Sequence, residues 1–140
     1  MSKFFAVRVY GSGVDGALLL LRLVAGFAFL LHGWPKIQNL TSWGSELQIP
    51  ALFQALAAIA EYGGGLAYVL GLLTRLGALG VFIDMAVAVI MHFFVLGDPF
   101  VHPTGGRSFE LASIYLLTSL LLMTTGPGRF SLDRRIFGIK

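Results

Sequence analysis

Residues 16–34 read GALLLLRLVAGFAFLLHGW, with Arg22 and His32 the only ionisable side chains in the run. A membrane-spanning helix needs about 20 such residues, so the length fits a span and the arginine becomes the problem. On insertion scales an Arg, Lys or Asp at the bilayer centre costs about 2.5–3.5 kcal/mol, against a gain of about 0.3–0.6 for each Leu, Ile, Phe or Val. An ionisable group held there calls for a partner or a task.

Three further apolar runs follow, at about residues 51–73, 76–96 and 109–125, each long enough for a helix. Only His32-Gly33-Trp34-Pro35-Lys36 follows the first run, with no small-residue cleavage pattern, so it reads as a retained span and not a signal peptide. The expected fold class is therefore all-α: an integral membrane four-helix bundle forming one domain over residues 1–140, with an amphipathic tail at 129–140. Composition agrees, since 56% of residues are hydrophobic and 12% charged, with a mean hydropathy of +0.82, far from the balance of a soluble domain. Cysteine is absent, which excludes disulfides and thiolate chemistry, so redox work would need a bound cofactor or substrate.

A sequence pI near 9.6 would suit nucleic acid, but the basic residues stand at segment ends and in the tail, where they orient membrane proteins. The expected partner is the lipid bilayer, with no nucleic acid. Lys3, Arg8, Arg75, Arg129, Arg134, Arg135 and Lys140 fall with the termini and the Thr74-Arg75 turn, and Lys36 and Arg107 fall on the opposite side. The positive-inside rule then predicts a multi-pass inner-membrane protein with both termini in the cytoplasm, and Trp34 and Trp43 near the outer boundary. Gly63, Ala67 and Gly71 recur every four residues and read as a ridge for close helix contact.

Depth, taken at about 1.5 Å per residue from the inner face, sorts the intramembrane ionisable groups into two layers. Arg22 and Asp84 fall at similar depth in the inner half and are expected to form a structural ion pair. His32, Glu61, His92 and Glu110, one from each span, fall in the outer half and are expected to line one cavity, with Glu61 and His92 as its catalytic acid–base pair. His32, Glu110, Trp34 and Phe93 are the expected ligand-binding residues, with Phe27, Phe29 and Phe94 completing the apolar walls. Plainer readings stand beside these: Arg22 snorkelling to inner headgroups, His32 on a loop carbonyl, Glu110 as a first-turn acid favoured by the helix dipole. Two His and two Glu would suit iron, zinc or manganese. No Glu-x-x-His pair is present, however, and a di-metal bundle uses more carboxylates, so no metal site is expected.

The order of short motifs adds a resemblance. Arg22-Leu23, His32-Gly33-Trp34-Pro35-Lys36, Glu61-Tyr62-Gly63-Gly64-Gly65, Gly71-Leu72-Leu73-Thr74-Arg75, His92, Glu110 and Gly126-Pro127-Gly128-Arg129-Phe130-Ser131-Leu132-Asp133 follow one another in a pattern that resembles the DoxX family over about residues 17–135. The resemblance implies a four-helix membrane protein and, for some members, association with quinone-linked oxidoreductases. It implies no agreed catalytic set. The motif turns also have physical readings: Gly126-Pro127-Gly128 stops the last span, and Phe130, Leu132, Ile136 and Phe137 would anchor the tail while Arg134 and Arg135 meet anionic lipid.

The leading functional expectation is a quinone-linked oxidoreductase subunit, or a binder of a quinone- or phenol-like ligand, with a membrane or redox protein as partner. A non-enzymatic scaffold or assembly factor is the alternative. Proton-coupled movement of a small solute is a third, which one small protomer disfavours because it lacks inverted repeats and which a homodimer would repair.

Overall fold

The computed structural model describes residues 6–138. Lys3 and Lys140, two of the basic residues counted for orientation, lie outside the described residues. All regular structure among the described residues is helical, with no strand. Helix α1 spans Ser12–Gln38, and a 3-10 turn at Ser45–Leu47 leads to α2, Ala51–Leu70. Helix α3, Thr74–Ile90, continues into a π-helical turn at Met91–Val95, and α4 (Glu110–Thr125) and the short α5 (Leu132–Phe137) complete the chain. Helix α1 packs on α2, α2 on α3 and α3 on α4, with α4 returning to touch α1.

The polarity is that of a chain dissolved in lipid. Leu20, Val24, Leu31, Ile83 and Leu117 are exposed, whereas Asp15, Arg22, Gln54, Glu61, Thr118, Ser119 and Asp133 are buried. Two helical segments, Ser12–Gln38 and Thr74–Val95, are long and apolar enough to cross a membrane. Between the helices a small apolar core forms from Leu18, Ala25 and Phe29 with Tyr68, Ala78, Val81, Met85 and Leu122. The Tyr68 hydroxyl donates to Ser119 Oγ at 3.0 Å, joining α2 to α4.

Close approach uses different glycines from those expected. A Cβ on Gly65 would lie 2.9 Å from Gly26 O on α1, and one on Gly64 would collide with Val81 on α3, whereas one on Gly63 meets nothing within 4 Å. The predicted ridge of Gly63, Ala67 and Gly71 is thus replaced by two faces, because adjacent glycines point about 100° apart on a helix and serve two neighbours. Gly71 leaves the helix altogether at φ +62, and Leu73 follows at φ +50. The second span accordingly ends at Leu70, three residues before the predicted boundary, and the third begins at Thr74.

The segment before α1, the segment after α4 and the α2–α3 turn share one end of the molecule, here the terminal end: the Tyr10 hydroxyl donates to Thr125 O at 3.1 Å, and Arg75 Nη1 donates to Ala6 O at 3.2 Å. The two longer connections, α1–α2 and α3–α4, form the opposite loop end.

Candidate functional site

At the terminal end, Arg22 is 1% exposed. Its Nε donates to Tyr68 O at 3.0 Å, Nη1 to Pro127 O at 2.6 Å and Nη2 to Phe130 O at 2.9 Å. The expected ion pair with Asp84 is not formed. A planar guanidinium with five N–H groups is well matched to several carbonyls at once, and the loop after α4 supplies two of them. Asp133 stands close enough to add attraction. Its carboxylate also caps α3, accepting from Leu73 N at 2.6 Å and Thr74 N at 2.9 Å, while Asp133 N donates to Gly71 O at 2.8 Å. Asp15 accepts from Tyr10 N at 3.3 Å and Arg129 N at 3.0 Å. The segment 126–133, read from sequence as a helix stop and lipid anchor, therefore also ties α1, α2 and α3 together.

Toward the loop end a second cluster forms, in a different state. Lys36 Nζ lies 2.7 Å from Glu61 Oε1 and 4.4 Å from the centre of the Trp43 ring. The ring is pinned because Trp43 Nε1 donates to Gln54 O at 3.0 Å, and the buried Gln54 side chain accepts from Gly44 N and donates to Ile49 O. Across the α2–α3 contact the Asp84 carboxyl faces Glu61 within hydrogen-bonding reach. Ionised, neither carboxyl can donate, and Glu61 Oε2 and Asp84 Oδ2 are both buried without a hydrogen-bond partner. Such orphaned acceptors are unusual and costly in an interior.

The remaining predicted residues do not converge on Glu61. His92, in the π-helical turn, places Nδ1 2.7 Å from Asp98 Oδ2, and Arg107 Nε lies 3.5 Å from the other oxygen, so His92 fastens the α3–α4 connection. His32 is exposed, since the neighbouring Gly33 is the residue packed against Tyr62, so it faces away from the helix contact that the expected cavity requires. Glu110 is the first residue of α4, half-buried, and occupies the first-turn position that the helix dipole favours. Trp34 and Phe93 are exposed, as are Phe27 and Phe94, while Phe29 belongs to the core. Trp34 pairs with Tyr62 at 5.9 Å, and Phe93 with Phe109 at 5.5 Å. Among the described residues no hydrogen bond or ion pair joins His32, His92 or Glu110 to Glu61, whose partner is Lys36. A groove of about 420 Å³ lies between α2 and α3, with Ile59, Gly63, Leu66, Leu70, Leu76 and Gly80 among its lining.

Lys36 was counted from sequence only as a basic residue near the outer boundary, and Gln54 was not considered. A signal was available for the first: Lys36 follows His32 by four residues, and a lysine at a span end can turn its ammonium inward as readily as outward.

A family model described as DoxX matches residues 17–95. The chain belongs to the DoxX family. It is 33% identical over 136 residues to "Inner membrane protein YphA" of Escherichia coli, covering 90% of this chain and 94% of that protein. It is 29% identical over 123 residues to "Inner membrane protein YqjF" of the same organism, covering 86% and 92%. "Putative oxidoreductase CatD" of Bacillus subtilis is 31% identical over 122 residues, covering 85% and 86%. No solved structure matches. This DoxX chain is an inner-membrane protein, like the relatives so named, and its exposed apolar helices agree.

Proposed function

We propose that this protein crosses the inner membrane four times with both termini in the cytoplasm and binds a quinol- or phenol-like ligand as a component of a quinone-linked oxidoreductase, with the Glu61–Asp84 carboxyl pair taking the ligand's hydroxyl proton. The observation that carries the reading is the pair of buried, unpartnered acceptors, Glu61 Oε2 and Asp84 Oδ2, beside the Lys36 ammonium. A ligand hydroxyl supplies the donor these oxygens lack, and Lys36 offsets the negative charge left as the proton moves. The apolar groove supports an apolar ligand body, because it reaches Gly80, and Asp84 follows four residues later on the same side of α3. His92, through Asp98 and Arg107, would hold the loop above the site rather than act on the ligand itself. Basic residues gathered at the terminal end support the orientation, and the relative named as an oxidoreductase supports the reaction class.

The test is titration of the purified protein with a short-chain quinol, followed by tryptophan fluorescence. Glu61→Gln keeps shape and burial and is expected to elute as a folded protein while binding at least about ten-fold more weakly, the loss of one charge-assisted hydrogen bond. Unchanged binding would leave the scaffold reading, which Arg22, with each of its three guanidinium nitrogens bonded to a backbone carbonyl, supports.

A further inference from the structure

Two carboxyls and one ammonium meet at Glu61, Asp84 and Lys36. With every group ionised the cluster holds one uncompensated negative charge inside the membrane, where an unbalanced ion is expensive. Among the described residues no neighbouring element supplies the missing charge. On α1 His32 is exposed, and Arg22 is taken by the carbonyls of Tyr68, Pro127 and Phe130. In the π-helical turn His92 sits on Asp98 with Arg107. On α4 Tyr115 lays its ring on Phe29, and the charges acting on Asp84 are those of Glu61 and Lys36. Glu61 is only 4% exposed, and its Oε2 still has no partner.

We infer that Lys36, Glu61 and Asp84 form a binding site for one exchangeable proton, and that Lys36 sets that number. One proton between the carboxyls removes their repulsion, gives an orphaned oxygen its donor and brings the cluster to neutrality. It belongs to the pair and not to either residue. The Lys36 side chain, 24% exposed against 6% for Glu61, is the member in touch with the loop end and marks the route of exchange. The number of bound protons then equals the number of carboxyls less the number of ammonium groups. The inference deepens the proposed function by stating what the acceptor site holds at rest. It stands apart from ligand identity.

Infrared spectroscopy of the full purified chain at neutral pH reads this number directly, as the carboxylic-acid C=O band and its shift in heavy water. The chain has only seven Asp and Glu residues, and Glu61→Gln supplies the baseline. The expected counts are one for the natural protein and for Lys36→Arg, none for Asp84→Asn and Glu61→Gln, two for Lys36→Met, and one for Lys36→Met combined with Asp84→Asn. The combined variant and Lys36→Arg keep the rule testable if Lys36→Met alone does not fold. A natural protein without the band, a band that disappears on adding sodium, or a count that ignores Lys36 overturns the inference. Loss of quinol binding with the counts intact would overturn the ligand reading alone, and normal binding with wrong counts would overturn only the proton site.

Discussion

At the terminal end Arg22, Asp15 and Asp133 are each held by backbone groups at 3.3 Å or less, whereas at the loop end Glu61 and Asp84 each keep an oxygen without a partner. Both sets are ionisable groups with buried polar atoms in the same lipid-facing fold, so burial alone does not mark a working site. The difference lies in completion. A charge whose hydrogen bonds are all made by backbone has nothing left to offer a ligand, and a pair with unmet acceptors has a reason to bind one.

Removing the completed end should do the greatest damage. Arg22→Met takes a donor from three carbonyls, of which Tyr68 O alone keeps a second one in Gly71 N, and is expected to lower stability by about 3–5 kcal/mol, the range for breaking a buried charged contact, measured as a fall in thermal midpoint in detergent. Arg22→Lys should recover only part of this, because an ammonium cannot reproduce the guanidinium fork. Asp133→Ala, which uncaps α3 at Leu73 and Thr74, should cost about 0.5–2 kcal/mol in the same assay. Glu61→Gln should move the midpoint least, by less than about 1 kcal/mol, since an amide keeps the shape and can donate to Asp84. Were Glu61→Gln as damaging as Arg22→Met, the loop-end cluster would be as structural as the terminal one and the contrast would fail.

The sequence carried the helices and their approximate ends because apolar length and turn residues are local properties. It did not carry the layer of Asp84, which depth counting sets with Arg22 and the structure sets with Glu61 and Lys36. Azimuth was not carried: His32 and Gly33 are neighbours, yet one faces outward and the other fits against Tyr62. Nor was the partner of Arg22, since side-chain inventories suggest side-chain partners and its acceptors are carbonyls of Tyr68, Pro127 and Phe130. Asp84, paired on paper with Arg22, meets Glu61 because helix packing, and not depth, decides which groups face each other. Glu61 was singled out correctly as a buried acid. The lysine beside it was missed because a basic residue at a span boundary reads first as a topology signal.

Of the three carbonyls that hold Arg22, one comes from a residue 46 positions later in the chain and two from residues 105 and 108 positions later. During synthesis the first span therefore enters the bilayer with its arginine uncovered, α2 brings the first carbonyl, and the shelter is completed only when the segment after the fourth helix is made. Until then the first helix depends on water, headgroups or the insertion machinery to shield its charge. Assembly order is written into this contact: α1 is made before α2 and α4 yet is finished after both, and a chain cut short before Pro127 would carry a partly uncovered arginine as a mark of its own incompleteness.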